Sequence, residues 1–222
     1  MLLAIDTATR CTSVALYGEE RVLAERTWRS ANNHTTELMP AIVGILAQQE
    51  IEPNSLTGIA VALGPGSFTG LRIGLSVAKG LAMALDIPVV GIPTLDILAE
   101  AHAHQKLPIC AILRAGRKWL GTALYKVRAG RWRRVTDDRL MLPEQLETLI
   151  DRRTLICGEI SAELEHSLRE HLGDLAVIAP PCLSLRRASC LAEIALKRLG
   201  KNKLDDIATL SPLYLQYPAT DN

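Results

Sequence analysis

Aromatic residues are scarce in this sequence, and the marks of several protein classes are absent from it. Aromatic side chains make up 4% of the 222 residues, and Phe68 is the single phenylalanine. No apolar run approaches the roughly 18 to 20 residues of a membrane span, and Asp6 interrupts the N-terminus too early for a secretory signal. The five cysteines are odd in number and widely spaced, which excludes a disulfide framework and a CxxC metal knuckle. We therefore expect a cytoplasmic protein with no membrane contact.

The amino-acid composition is that of a globular protein. Hydrophobic residues make up 48% of the chain and charged residues 22%, while 25 basic against 24 acidic residues leave a net charge of +1. These proportions exclude disorder, collagen and coiled coil. A chain of this length buries about 70% of its unfolded surface, which is enough for one large domain or two small ones.

Alternating apolar runs and turn residues predict two α/β units. In the first, three antiparallel strands precede alternating helices and strands, an order typical of a mixed sheet with helices on its faces. Its predicted strands are 2–5, 12–17, 22–28, 59–63 and 89–92, and its helices are 35–49, 70–85 and 94–104. The second unit has predicted strands at 109–113, 120–127, 131–140 and 155–157, and helices at 143–150, 161–171 and 188–199. We place the domains at 1–104 and 105–222, and the tail 205–222 is a candidate to pack back on the first domain.

The glycine-bearing loop 64–72 is the most unusual stretch of the chain. It lacks the GxxxxGK pattern of a Walker loop, the GxGxxG of a dinucleotide site and the glycines of a nucleophile elbow. A tight turn between a strand and a helix is favoured, although amides at the helix N-terminus could hold an anion. His102 and His104 would lie about 200° apart around a helix, and no HExxH occurs, so we expect no metal site.

The helix predicted at 70–85 is rich in small residues, which are Gly70, Gly74, Ala78, Gly80, Ala82 and Ala84. Each glycine costs about 1 kcal/mol in a helix interior. We interpret them as sites of close approach by a second helix, either of the same subunit or of another.

The segment 106–134 contains nine lysines or arginines and no acidic residue. Aromatic residues interleave with these cations, and cations with flat rings on a β-ribbon suit an RNA backbone and its stacked bases. The possible RNA contacts are Arg114, Arg117, Lys118, Arg131 and Arg133. The alternative is a solvated strand face balanced by acids elsewhere, because the whole chain is nearly neutral.

Several stretches together resemble the bacterial TsaB (YeaZ) family. They are 4–9 (AIDTAT), 34–40 (HTTELMP), 64–74 (GPGSFTGLRIG), 78–82 (AKGLA) and 212–215 (PLYL). The resemblance is dense over residues 1–95 and thin between 105 and 205. It implies the actin-like, ribonuclease H-like fold of two subdomains, each a mixed sheet flanked by helices. It also implies a part in the threonylcarbamoyl modification of adenosine 37 in tRNAs that read codons beginning with A. Arg114 stands where the family has an aspartate, so the chain departs from the family pattern there.

The resemblance implies no catalytic residue, no cofactor and no metal ion. TsaD, the family's catalytic paralogue, carries a His-x-x-x-His metal pair at the positions that are Thr94 and Leu98 here. The phosphate turn of the fold survives only as the vestigial Asp6, Thr7 and Thr9, without a matching Asp-x-Gly turn after residue 105. Half of a nucleotide clamp should bind ATP weakly or not at all.

By the same resemblance we expect a non-catalytic scaffold that forms a heterodimer with TsaD, recruits the ATPase TsaE and meets tRNA within that complex. The pairing would use helices 35–49 and 70–85, and the same surface would form a homodimer when the partner is absent. The expected interface residues are Leu38, Ile42, Leu71, Leu75 and Ala78. Two alternatives stay open: a stand-alone weak ATPase or peptidase, and a tRNA-binding module on the basic segment 106–134.

Overall fold

The structure, a computed structural model, divides into two units. It describes residues 1–18, 20–31, 33–116, 118–128 and 131–216, with only the backbone of Val127, Arg128 and Arg131. The first unit combines Met1–Ile97 with Arg186–Leu213, and the second combines Leu98–Leu185 with the segment that begins at Tyr214.

Both units are α/β, as predicted. The first hundred residues form β1 (Leu2–Asp6), β2 (Cys11–Gly18), β3 (Arg21–Arg29), α1 (His34–Gln48), β4 (Gly58–Gly64), α2 (Phe68–Leu85), β5 (Val89–Pro93) and α3 (Thr94–Glu100). The rest form β6 (Ile109–Ala115), β7 (Trp119–Arg128), β8 (Arg131–Arg134), β9 (Arg139–Met141), β10 (Thr154–Gly158), α4 (Ala162–Leu172), β11 (Ala176–Ile178) and α5 (Ala188–Leu199). The helix predicted at 143–150 is a short 3₁₀ helix, Pro143–Thr148, and the strand predicted at 131–140 is divided into β8 and β9.

The first sheet lies between two helical layers. Its strand order is β3-β2-β1-β4-β5, with β2 antiparallel to its neighbours and β4 and β5 parallel to β1. The central strands β1 and β4 are buried on both faces, which explains their continuous apolar runs. Leu3 and Ile5 pack with residues of α1 and α2, and the alternating Leu2 and Ala4 pack with residues of α5.

The helix α2 is long and apolar. Ser67 Oγ caps its start by accepting a hydrogen bond from Gly70 N, and Asp86 ends it in the left-handed conformation with φ 54°. In the part of the chain that the structure describes, α2 has the length and hydropathy of a membrane span, contrary to the expectation that no run approaches that length. Its inner residues pack on the first sheet, as in a core helix, but only 33% of the helix is buried within the protein. Much of an apolar helix therefore remains accessible.

The second sheet has the order β11-β10-β6-β7-β8, and β9 pairs with the first half of β7. The strands β6, β10 and β11 are parallel, whereas β7 is antiparallel to β6, β8 and β9. One face of this sheet, which includes Cys110, Ile112 and Leu124, packs on α4 and on the 3₁₀ helix. Burial raises the pKa of the Cys110 thiol to about 11, so this cysteine is a small apolar core residue.

The helix α5 belongs to the first unit, whereas the predicted division at residue 104 placed it in the second. Ala188, Leu191, Ala192 and Ala195 are fully buried against the first sheet. The division is wrong for α5 because the periodicity of a helix shows that it has a buried face without showing which sheet it covers.

Candidate functional site

The polar side chains of the turn that follows β1 form hydrogen bonds within the protein. Asp6 is fully buried at the end of β1, and its Oδ1 accepts a hydrogen bond from Ala8 N at 2.9 Å. Thr7 Oγ1 donates to the Gly70 carbonyl at 2.7 Å, and Thr9 Oγ1 accepts from Cys11 N at 3.2 Å. All three residues of the predicted phosphate turn are therefore bonded within the protein.

Three glycines allow the start of α2 to press against this turn. A Cβ at Gly66 would overlap the Ala8 carbonyl, one at Gly70 the Thr7 carbonyl, and one at Gly74 the Thr7 hydroxyl. Only glycine permits such close approach to a neighbouring backbone. The interpretation that these glycines approach another helix is thus wrong for Gly70 and Gly74, which approach a turn.

An arginine from the other end of the chain closes the turn. Arg186 is 3% exposed, and its Nε donates to Asp6 Oδ2 at 2.9 Å. Its Nη2 donates to Thr9 Oγ1 at 2.6 Å and to the Cys11 carbonyl at 3.0 Å. Arg186 was not among the predicted site residues, because no local pattern links two residues that lie 180 positions apart.

The strands of the first sheet hold Arg186 in place by capping the start of α5. Ala188 N donates to Ser13 Oγ at 3.0 Å, and both the amide and the hydroxyl of Ser189 donate to Glu25 Oε1, at 2.9 and 2.8 Å. The N-cap residue Arg187 makes no side-chain cap of its own. The first free amides of α5 are thus satisfied by β2 and β3, which anchors the residue just before the helix.

This closed turn is poorly suited to bind a nucleotide phosphate. Both oxygens of Asp6 accept hydrogen bonds from the protein, and the carboxylate is not accessible to solvent. Within the described ranges, no group of three or more His, Cys, Asp or Glu side chains is placed to hold a metal ion. Thr94, at the first position of the paralogue's histidine pair, is buried with its hydroxyl unpaired in the described structure.

The five predicted interface residues lie inside the first unit. Leu38, Ile42, Leu71, Leu75 and Ala78 are each at most 6% exposed, and they pack between the helices and the first sheet. Four of them face the core, where a charge at Ala78 would also be forced, and Leu38 lines the floor of a groove described below. Their burial does not favour a contact with a partner, because an amphipathic stripe marks the side of a helix that is buried in its own domain, and the interface they were assigned to stays a prediction.

The opposite side of α1 and α2 is exposed and apolar, and we call it the outer face. Met39, Val43, Phe68 and Met83 are between 38% and 71% exposed there. A groove of about 490 Å³ runs between the two helices. Its lining includes His34, Leu38, Met39, Phe68, Ile73 and Val77.

Two glycines of the outer face have no internal explanation. Gly44 in α1 and Gly80 in α2 are both exposed, and a Cβ added at either would meet nothing within 4 Å. Each nevertheless costs about 1 kcal/mol of helix stability relative to alanine. An exposed glycine on an apolar helical surface leaves room for the backbone of another chain to approach closely.

Polar and charged groups surround the first turn of α1 beside the groove. His34 is 4% exposed, its Nδ1 shares a hydrogen bond of 3.0 Å with Thr12 Oγ1, and burial lowers the pKa of its imidazole. Trp28 Nε1 donates to Glu37 Oε2 at 2.9 Å, which lowers the pKa of that carboxyl. The groove therefore combines an apolar floor with a fixed polar rim.

The predicted RNA contacts are separated by the length of β7. Arg114 and Lys118 flank the turn between β6 and β7, whereas Arg133 lies in β8, opposite the far end of β7. Arg117 lies outside the described residues, and only the backbone of Arg131 is described.

One of the aromatic residues of the basic segment, Tyr125, is not accessible for stacking on bases. Tyr125 is 6% exposed, and its hydroxyl accepts a hydrogen bond from Arg134 Nη2 at 3.0 Å. Trp119 and Trp132 are half-buried. The interpretation of an aromatic stacking platform is therefore not supported for Tyr125.

Two mixed sheets flanked by helices, with a turn after the first strand that meets a glycine-rich helix start, define an α/β protein of the actin-like fold class, as predicted. The family model described as "TsaD: tRNA N6-adenosine threonylcarbamoyltransferase" matches residues 22–220. Within this group of related proteins, the chain belongs to the TsaB (YeaZ) family.

Similar proteins cover nearly the whole chain. A relative from Bacillus subtilis strain 168, named tRNA threonylcarbamoyladenosine biosynthesis protein TsaB, is 36% identical over 97% of this chain and 93% of its own length. The protein of the same name from Buchnera aphidicola subsp. Acyrthosiphon pisum is 30% identical over 72% of this chain and 75% of its own. The solved structure of YeaZ from Pseudomonas aeruginosa superimposes with a TM-score of 0.79 at 26% identity, covering 96% of this chain and 99% of that one. The predicted family resemblance is confirmed.

Proposed function

We propose that this protein is a non-catalytic scaffold subunit in the threonylcarbamoylation of tRNA adenosine 37. It forms a heterodimer with the catalytic subunit TsaD through the outer face, recruits the ATPase TsaE and leaves the transfer reaction to TsaD. Relatives that match most of the chain are named for threonylcarbamoyladenosine biosynthesis, which supports this role. Because tRNA is modified in the cytoplasm, we place the protein there.

The exposed glycines of the outer face are the observation that carries the proposal. Gly44 and Gly80 weaken their helices without any contact inside the protein that requires them. They lie beside exposed Val43 and Met83, so a second helical pair could pack here at short interaxial distance. The TsaD family model matches this chain over both α1 and α2, so TsaD is expected to present equivalent helices, which favours a pseudo-symmetric contact of four helices. In the absence of TsaD, two copies of this chain would pair in the same way.

The closed phosphate turn supports a role without catalysis. Arg186 and Asp6 are both almost fully buried, and their hydrogen bonds occupy the turn that the fold uses for phosphate. An enzyme of this fold class would need that turn to be accessible. A stand-alone ATPase or peptidase is the less favoured alternative, and a tRNA-binding role is compatible with scaffolding.

The sharpest test of the interface is Gly80→Arg. Arginine is a better helix former than glycine by about 0.8 kcal/mol, and nothing lies within 4 Å of the added Cβ, so the isolated variant should be at least as stable as the wild type. It should nevertheless fail to co-purify with TsaD, because the long side chain blocks close helix approach. Pairing is measured by sedimentation of the purified proteins, and stability by urea unfolding.

Val22→Arg is the matched control, since Val22 is 43% exposed and lies on strand β3 and not on either helix of the outer face. It should pair with TsaD normally. Normal pairing of a stable Gly80→Arg variant would show that the outer face is not the interface.

The enzyme alternative is tested by calorimetry of the isolated chain with ATP and magnesium. We expect no binding at micromolar nucleotide, because the Asp6 carboxylate is already bonded to Arg186. Micromolar affinity, or turnover of ATP by the chain alone, would contradict the scaffold proposal.

A further inference from the structure

Basic residues from several separate segments meet at one end of the second sheet. Leu155 pairs with Ile109, so the parallel strands β6 and β10 both begin at this end. Ile109 also pairs with Tyr125 of the antiparallel β7, so β7 ends and β8 begins there. We call this end of the sheet the cationic end. Its basic residues are Lys106, Lys126, Arg128, Arg131, Arg133, Arg152 and Arg153.

Like charges face each other across the β7–β8 ladder at the cationic end. Lys126 pairs with Arg133. Like charges placed directly opposite on neighbouring strands destabilise a sheet. A polyanionic ligand would relieve this repulsion.

The acidic residues at the cationic end balance only part of this charge. Asp151 Oδ1 lies 3.5 Å from Lys126 Nζ and 3.0 Å from Arg152 Nε, and the bond from Arg152 helps to hold the Asp151 pKa at about 2. Asp174 precedes β11, at the far side of the sheet. Lys106, Arg133 and Arg153 are exposed, and none forms a salt bridge with another described residue.

The turn between β6 and β7, at the opposite end of the sheet, carries less unbalanced charge. Arg114 N donates to Glu159 Oε2 at 3.2 Å, and the Arg114 side chain helps to lower the pKa of Glu163. Carboxylates therefore lie beside Arg114, whereas Lys106, Arg133 and Arg153 at the cationic end form no salt bridge with another described residue.

We propose that the cationic end binds the phosphate backbone of tRNA. The choice of tRNA as the polyanion rests on the proposed function, whereas the site itself rests on the charges and the register. Four neighbouring strands span about 14 Å, a width over which a nucleic-acid duplex presents several phosphates. Because Tyr125 is buried, it is not available to stack on bases, and we expect the charged side chains to contact the phosphate backbone. An RNA held through phosphates alone is bound with little dependence on sequence.

The test compares three double charge reversals, all at exposed positions and all with the same change in net charge. Arg133→Glu with Arg153→Glu changes the cationic end, Arg114→Glu with Lys118→Glu changes the opposite end, and Lys201→Glu with Lys203→Glu changes the first unit. Binding to an unmodified tRNA transcript is measured between about 50 and 200 mM salt, for the chain alone and mixed with TsaD. Each variant is first checked for a normal unfolding transition and for pairing with TsaD.

The cationic-end variant should bind tRNA about tenfold or more weakly at roughly 100 mM salt. Each lost phosphate contact should also flatten the slope of log K against log salt by about 0.7 to 0.9, so two should flatten it by about 1.5. The other two variants should stay within about twofold of the wild type. If the cationic-end variant fails to fold, Arg153→Glu alone is used and should lose about half of that slope change.

Unchanged tRNA binding by the cationic-end variant, alone and with TsaD, would overturn the inference. So would an equal loss in all three variants, which would mean that net charge alone matters, or an acidic protein that binds this end while tRNA does not. These readouts are independent of Gly80→Arg, which tests pairing and leaves the cationic end intact. Failure of this inference and failure of the scaffold proposal can therefore be told apart.

Discussion

The two helical layers of the first sheet differ in what they leave exposed. On one face α5 buries Ala188, Ala192 and Ala195 completely, and its exposed residues include the charged Glu193 and Lys197. On the other face α1 and α2 also bury an apolar stripe, but their outer surface is apolar again. The α5 layer therefore presents charged residues to solvent, whereas the α1–α2 layer leaves apolar residues exposed.

This difference shows that small residues in a helix have two distinct meanings. The alanines of α5 and Gly70 and Gly74 of α2 permit close contacts inside the protein. Gly80 has open space beside it, where the proposed pairing would bring a second chain close to the helix. Only the surroundings of each residue distinguish the two cases.

The largest loss of stability is expected from Arg186→Met, at the start of the α5 layer. Removing one partner of a buried ion pair leaves the other charge uncompensated, which costs about 3 to 5 kcal/mol. The free energy of unfolding, measured in urea, should fall by that amount. Arg187→Met is the control, because its side chain is 64% exposed and lies 3.4 Å from Glu25, and it should cost less than about 1 kcal/mol. Equal losses in the two variants would show that Arg186 does not close the turn.

Smaller changes in stability are expected from Gly74→Ala and Gly80→Ala in α2, and the two changes should have opposite signs. The added methyl group at Gly74 overlaps the Thr7 hydroxyl, so we expect a loss of about 1 to 3 kcal/mol. The same change at Gly80 meets open space and should stabilise the isolated protein by about 1 kcal/mol. Urea unfolding of both variants checks this directly. Two changes of the same sign would mean that the glycines of α2 do not serve separate purposes.

The smallest effect is expected at the start of α1, where burial lowers the pKa of His34. As the pH falls, His34 takes up a proton near pH 6.5 in the unfolded chain and at a lower pH in the folded chain. The contribution of the neutral imidazole to the free energy of unfolding is therefore fully present above pH 6.5. It is lost as the pH falls through the lower pKa of the folded state. His34→Gln should therefore flatten the dependence of the urea midpoint on pH between about 7 and 5. His104→Gln, at an exposed position, should leave that dependence unchanged, and an unaltered slope in His34→Gln would contradict the assignment.

Much of the fold could be predicted because its signals are local. Helix 70–85 was expected from its pattern of apolar residues after a glycine-bearing loop, and α2 spans Phe68–Leu85. The same period could not identify the interface, because the stripe of Leu38 and Leu75 points into the core in any amphipathic helix. The composition shows that the segment 106–134 is basic. It does not show that the ten-residue strand β7 separates the two ends of this segment by about 33 Å.

The sequence by itself determined most of the helices and strands, the family and the presence of a glycine-rich helix start, since each depends on neighbours within a few positions. It did not predict the short strand β11 or the division between β8 and β9. The tertiary structure decided that Arg186 bonds to Asp6. It also placed Arg152 and Arg153 at the same end of the second sheet as Arg133. In α2, it turned Gly80 outward and Gly74 toward Thr7. These relations join residues that are distant along the chain, and the packing of two sheets and their helices is what brings them within bonding distance or keeps them apart.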